Sequence, residues 1–320
     1  MGTYAIGIDI GGTRMKCGAV SPSGKILAQH VVPSNASRGT RGLLKGIAET
    51  VNEFERRLGK PAGIGLGLSG VVDPEFGVRY LPGKFKGLEG FDIVPRLRKR
   101  LGVPVWADND GLLAMLAEHR FGQAKQVKWA ATLTIGTGVG SGVILDGRIL
   151  REPSFLFGTQ IGHCVLQNYG GKYCLTTARG TAETLCSCTA LALSVRDGLQ
   201  RGIPSILTDL YWKDAHAIDF KKVIEGVRKK DKLCLDEFDR WVHNLGCLLV
   251  TVTHAYTPQM IILSGGGANA ADLYLTRLKK HIHHNTFRYP PDRRIRLVTS
   301  RLADMAGVLG GAAHVWSRLS

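Results

Sequence analysis

Four short stretches place reactive or backbone-exposing residues where chemistry would need them. "WADNDG" (106–111) ends an apolar strand with Asp108 and Asp110 on either side of Asn109. A carboxylate at a strand end, in a site that excludes water, can take the proton of a substrate hydroxyl as that hydroxyl attacks phosphorus, and Asp110 is the candidate base. The Asp108-Asn109 pair reads equally well as the cap of the following helix. "DIGGT" sets Asp9 at another strand end, followed by Gly11, Gly12 and Thr13. Glycines there let backbone N–H groups approach phosphate oxygens without a Cβ in the way, although one copy alone is also an ordinary tight hairpin. A second turn, "GTGVGSG" (136–142), supplies Gly136, Thr137 and Gly138, and two such turns facing across a cleft can hold one polyphosphate from both sides. It leads into the apolar strand "VIL" rather than a helix, so a dinucleotide-binding reading of its glycines fails. "SGGGAN" (264–269), with Gly265, Gly266 and Gly267, follows a buried strand and opens a helix. That is either a close backbone approach to a ligand or a plain strand-to-helix turn.

A fifth stretch, "GHCVLQNYGGKYCLTTARGTAE" (162–183), carries His163 and Cys174 at plausible metal-ligand spacing. Where a closed zinc site needs two more thiolates, the chain offers Thr176 and Thr181.

The elements that must position these residues alternate between strand and helix, the pattern of α/β domains. "IDIGGTRMKCGAVSPSGKIL" (8–27) and "LTIGTGVGSGVILDGRIL" (133–150) share one plan: strand, glycine turn, strand, then a Gly-Lys or Gly-Arg turn. After the first hairpin the periodicity predicts a helix over 40–58, a buried strand in "AGIGLGLSG", a helix over 91–101, a strand in "PVWAD" and a helix over 111–121. The second half predicts a hairpin over 130–150, helices near 178–198 and 233–256, a strand in "MIILSG", a helix over 269–283, a strand over 294–299 and a last helix from about 304. With no long linker, the domain boundary is placed near the helix at 111–121.

Composition narrows the function classes. The 320 residues are 44% hydrophobic and 21% charged, with no apolar run long enough for a membrane span, so no membrane partner is expected. The N-terminus enters a strand directly, without signal-peptide features, which points to the cytoplasm. Seven cysteines, an odd number, read mostly as reduced core thiols, and the sequon Asn35-Ala36-Ser37 means nothing without secretion. The net charge of +16 favours anionic partners. Its clusters at 96–100, 221–222, 228–230 and 293–296 lack interleaved aromatics, so nucleic acid is not expected as a partner.

The order of these pieces resembles the ROK family of sugar kinases and repressors, in the actin-like ATPase and sugar kinase superfamily. The resemblance rests on "DIGGTRMK", "GLGLSGVVD" (65–73), "PVWADNDGLLAMLAEHRFG" (104–122), "TIGTGVGSGVILDGRIL", "IGH" (161–163), Glu183, "IILSGGG" and "LADMAGVLGGA" (302–312), and it spans nearly the whole chain. It implies two actin-like/ribonuclease-H-like α/β domains flanking a cleft, residues 1–118 and 119–303, with a helix at about 304–320 packing back on the first. It implies Asp110 as the base and Asn109, Gly70, His163 and Glu183 around a sugar. ATP phosphates would lie at Gly11, Gly12, Thr13, Lys16 and Gly136–Gly138, adenosine at Gly265–Gly267, and Mg2+ near Asp9. Dimers are usual in the family. Family repressors carry a helix-turn-helix before the first phosphate loop; here that loop begins at residue 9, so a kinase is favoured.

Three departures bear on the acceptor. Gln160 stands where the family has glutamate, adding a donor to a site built to accept. "LREPSFLFGTQ" (150–160) is bulkier than the usual glycine-rich run, and Tyr80 in "RYLPG" replaces a common asparagine. The family's zinc pattern falls on His163, Cys174, Thr176 and Thr181, and Cys186 and Cys188, two apart in a helix, would point to different faces. No structural zinc is expected. The resulting expectation is an ATP- and Mg2+-dependent hexose kinase, glucose first. An N-acetylmannosamine or N-acetylglucosamine acceptor, a polyphosphate donor, or a non-catalytic sugar sensor are the rivals.

Overall fold

The computed structural model describes residues 3–34, 39–81, 87–151, 159–287, 290 and 292–319. The sequon at 35–37, Pro82 and Gly83 of "RYLPG", and residues 152–158 of the bulky stretch lie outside the described residues. The chain divides into two compact units: Met1–Lys128 with Gly142–Thr159 and Arg301–Ser320, and Trp129–Ser141 with Gln160–Ser300.

The first unit holds β1 (Ala5–Ile10), β2 (Arg14–Val20), β3 (Ile26–Pro33), α1 (Gly39–Leu58), β4 (Ile64–Leu68), the small ribbon β5 (Val71–Asp73) and β6 (Gly77–Tyr80), α2 (Ile93–Leu101), β7 (Val105–Asn109) and α3 (Asp110–Arg120). Its sheet runs β3-β2-β1-β4-β7, with β1, β4 and β7 parallel. The alternation along β1 and β4 explains the two faces. Ile6, Ile8, Ile10, Ile64, Leu66 and Leu68 build the core that includes Ile47, Phe54 and Leu97 from α1 and α2. The small residues between them, Gly7 and Gly65, face the chain's last helix, α10 (Ala306–Leu319). A Cβ on Gly7 would fall on the carbonyl of Val308, and one on Gly65 on that of Gly311. Ala5, Val308, Ala312 and Trp316 form the second core on that face. "GLGLSG" is thus a strand whose glycines admit a helix at backbone distance.

The second sheet is built on β8 (Ala130–Ile135), β9 (Val139–Leu145), β10 (Arg148–Ile149), β11 (Met260–Ser264) and β12 (Arg296–Thr299), in the order β10-β9-β8-β11-β12. Both sheets repeat one strand order, and Gly24 and Gly147 take matching positive φ of 89° and 76° at the turn after each hairpin. The shared plan read in the sequence is the shared topology of the fold.

The second unit's helices are α4 (Ala182–Cys186), α5 (Cys188–Gln200), α6 (Thr208–Lys213), α7 (Phe220–Arg228), α8 (Lys232–Tyr256) and α9 (Ala271–Asn285); α10 (Ala306–Leu319) returns to the first. The single helix expected over 178–198 is two. Ser187 takes extended backbone (ψ 160°), ending α4, and its hydroxyl accepts from the Ala190 N–H at 3.0 Å to start α5. The short helices α6 and α7 have no counterpart among the elements the periodicity predicts. β9 is divided between the units: Gly142 packs where a Cβ would lie 2.7 Å from the Gly111 carbonyl, so the strand's second half stays with α3. Among the described residues no helix is long and apolar enough to cross a membrane.

Candidate active site

β7 delivers three polar residues in succession to the start of α3. Asn109 is the N-cap: its Oδ1 accepts from the Gly111 N–H at 2.9 Å, while its Nδ2 donates to the Gly70 carbonyl at 3.0 Å. The capping reading therefore holds for Asn109, and it leaves one amide proton and one lone pair for a ligand. Gly70 has φ +92°, and a Cβ there would run into the Tyr80 carbonyl, so this backbone needs glycine. Asp110 is exposed, with Oδ1 accepting from the Gly111 N–H at 2.9 Å and Oδ2 from the Ser69 hydroxyl at 3.0 Å. The first unit thus brings Gly70, Asn109 and Asp110 together around one carboxylate held in a fixed rotamer.

The first glycine turn closes through the Gly11 N–H to the Arg14 carbonyl, 2.9 Å. Ser34 takes up the turn's carbonyls, its hydroxyl donating to Gly12 and its N–H to Thr13. Nothing lies within 4 Å of a Cβ built on Gly12, so the turn opens to space. Asp9, half-buried at the end of β1, faces Gly307, where a Cβ would stand 2.6 Å from the Asp9 Cγ. Lys16 pairs with Asp304 at 3.5 Å. Neither Gly307 nor Asp304 stands out in the sequence; only their place in "LADMAG" marks them.

In the second unit Glu183 lies against the second glycine turn. Its Oε2 accepts from the Val139 N–H at 3.3 Å and fills the space a Cβ on Gly138 would take. The Gly136 carbonyl accepts from the Cys188 N–H at the start of α5, 2.9 Å. His163 sits in a 3-10 turn, Ile161–His163, that packs on α4, which carries Glu183; its Nδ1 is buried and has no partner among the described residues. Gln160 precedes that turn, half-buried, and its side chain makes no capping hydrogen bond to it.

The third glycine run packs on the end of β8. Gly265 has φ +81°, with a Cβ there 2.6 Å from the Ile135 carbonyl, while Gly266 faces open space. Gly136, Thr137 and Gly266 line one cavity of about 790 Å³ with Phe220, Ile224 and Arg196. Arg196 is held by donating to the Ile218 and His216 carbonyls at 2.9 and 3.1 Å, and Lys221 and Arg228 add positive charge to the lining. One residue of each of the basic runs at 221–222 and 228–230, Lys221 and Arg228, thus belongs to the wall of this cavity. Apolar side chains, glycine backbone and cations in one lining, with Asp219 and Glu225 also present, suit a base, a ribose and phosphates.

The metal-like stretch is a tight hairpin: Tyr173 bridges Arg179, the Cys174 N–H donates to the Ala178 carbonyl, and Arg179 lies over the Tyr173 ring at 3.9 Å. Cys174 Sγ and Thr176 Oγ1 are 2.9 Å apart. Desolvation works to raise the Cys174 thiol, but hydrogen bonds with Thr176 and Thr181 outweigh it and hold the thiol below its usual range. Cys186 is buried with its thiol pushed up by burial, and Cys188 bonds the Ile135 carbonyl, its thiol pushed up by burial to about 12. One imidazole, one thiol and two neutral hydroxyls do not make the closed set of thiolates and imidazoles that structural zinc requires. Among the described residues no group of three or more His, Cys, Asp or Glu is placed to hold a metal ion.

Known proteins share this arrangement of elements. Residues 5–318 match the ROK family. A glucokinase of Thermotoga maritima is 29% identical over 316 residues, covering 98% of each chain, and one of Halalkalibacterium halodurans is 28% identical over 314 residues, covering 96% of this chain and 93% of that one. The ROK hexokinase of Thermus thermophilus superposes with a TM-score of 0.83 at 27% identity, covering 99% of each chain. The fold is also that of a Streptomyces griseus ROK glucokinase solved with glucose and AMPPNP, TM-score 0.82 at 24% identity, over 98% of this chain and 99% of that one.

Proposed function

As the chain belongs to the ROK family and is a sugar kinase with the α/β build of that family, we propose that it transfers the γ-phosphoryl group of ATP to the primary hydroxyl of a hexose, glucose first. The observation that carries this reading is Asp110, fixed by Ser69 and Gly111 beside the Asn109–Gly70 contact. Asn109 and Gly70 orient the sugar; Asp110 takes the hydroxyl proton as its oxygen attacks phosphorus. The first and second glycine turns bind phosphate oxygens through backbone N–H groups, and the Phe220–Ile224 wall takes the base. Magnesium fits the chain here: it asks for one or two carboxylate oxygens beside phosphates and water, and Asp9 offers its carboxylate in the space Gly307 leaves. Bound with ATP, it would supply charge neutralisation on the β- and γ-phosphates.

Gln160 favours a second acceptor. Its side-chain amide can donate to an acetamido carbonyl, which glucose lacks. A coupled assay over glucose, mannose, N-acetylglucosamine and N-acetylmannosamine, each with ATP and with polyphosphate, separates these readings. Turnover with glucose and ATP is expected; silence with every pair would leave a sugar sensor.

A further inference from the structure

Asp108 has no task in the mechanism above, yet it lies beside the site and is only 3% exposed. Three segments far apart in sequence meet around it. The Asn109 N–H donates to Oδ1 at 2.7 Å, the Arg151 guanidinium bonds the same oxygen, and His314 Nδ1 of α10 stands 3.7 Å from Oδ2. At that distance the imidazole is outside hydrogen-bond reach, and burial keeps it neutral, its pKa lowered to about 3. Arg151 is therefore the group that bonds the buried charge directly. It leaves β10, whose pairing with β9 runs Arg148 to Leu145 and Ile149 to Ile144, so the guanidinium comes from a hairpin of defined register.

A buried ion pair is a poor way to gain stability, because apolar side chains of similar volume usually do as well. What this pair does that an apolar pair cannot is hold an acceptor at the Asp108–Asn109 peptide. That peptide is the hinge from β7 into α3, and the next two side chains are Asn109 and Asp110. We propose that Arg151, acting through Asp108, is a positioning residue for phosphoryl transfer: it fixes the carboxylate that orients the Asn109 N–H, and with it the start of α3 that carries Asp110. The inference rests on the kinase reading given above.

Because misplacement of a reacting group by about an ångström can cost on the order of a hundredfold in rate, the effect falls on kcat. In Arg151→Met, kcat is expected to drop at least about tenfold while the sugar KM stays within about threefold, and Arg151→Lys should recover part of the loss. If Arg151→Met does not fold, the neutral, hydrogen-bonding pair Asp108→Asn/Arg151→Gln carries the test, with the folded fraction measured by calorimetry. A folded Arg151→Met, or the folded double variant where it stands in, with kcat within about twofold of the native enzyme overturns the proposal. So does a loss of rate that follows only the folded fraction, since that is a structural role. Native protein silent on every sugar removes the kinase reading and this inference together; an active native enzyme indifferent to Arg151 removes the inference alone.

Discussion

At the scale of single residues, Asp110 and Gly307 make the sharpest tests. Asp110→Asn keeps the size and the Ser69 contact but loses the basic oxygen, so kcat should fall by about 10²- to 10⁴-fold with hexose binding retained by calorimetric titration. Gly307→Ala puts a methyl group 2.6 Å from the Asp9 Cγ, which must then move. The expected result is a raised apparent KM for magnesium-ATP with sugar affinity unchanged, read from initial rates at varied nucleotide. His314 gives a pH signature. Its imidazole stays neutral in the fold to about pH 3, while the unfolded chain protonates it below about 6.5. The unfolded state then binds the extra proton, so this group's contribution is full above about 6.5 and is lost as pH falls toward 3. Burial raises the Asp108 carboxyl, a penalty that acid relieves, so the two oppose. Comparing denaturant midpoints of native protein and His314→Gln between pH 4 and 7 isolates the imidazole, and the variant should show the shallower loss.

At the scale of elements, the contact of α10 with β1 and β4 depends on Gly7, Gly65 and Gly311. Gly65→Ala should destabilise the first unit by about 1–3 kcal/mol, the usual cost of overpacking, seen as a lower thermal midpoint. The hairpin at 164–181 is held by its own hydrogen bonds and the Arg179–Tyr173 stack. Its donor set does not suit zinc, so a strong zinc chelator should leave the thermal midpoint unchanged; a fall of several degrees would show a metal there. The alternation of strands with helices and the repeated glycine hairpin were legible in the sequence because period-2 burial and glycine turns are local signals. The break at Ser187 and the short helices α6 and α7 were not. The break at Ser187 depends on the Trp241 indole, which donates to the carbonyls of both Cys186 and Ser187, a contact between residues far apart in the chain. The helix α7 is short and dominated by charge, so its role as a cavity wall emerges only when it packs on α5 and α8.

For the molecule as a whole, the net charge of +16 predicts salt dependence rather than fold. Raising ionic strength from about 0.05 to 0.5 M, which shortens the screening length from more than 10 Å to less than 8 Å, should raise the KM for ATP more than that for the neutral sugar. Equal changes in both would show that the cations at Arg196, Lys221 and Arg228 do not act on the nucleotide. We further propose that the chain forms a dimer, as is usual in the family, and sedimentation equilibrium measures this.

The amino-acid sequence by itself determined the α/β class, the duplicated hairpin plan, the three glycine turns and Asp9, Asn109 and Asp110, because each is a local pattern: apolar alternation, glycine at a turn, a polar residue at a strand end. Tertiary structure alone decided that Asn109 caps α3 while gripping Gly70, that Glu183 supports the second glycine turn, and that Gly307 makes room for Asp9. It alone also gathered Asp108, Arg151 and His314. Those relations join residues tens to hundreds of positions apart, and no local pattern encodes a contact that exists only after two distant segments have buried each other's surfaces.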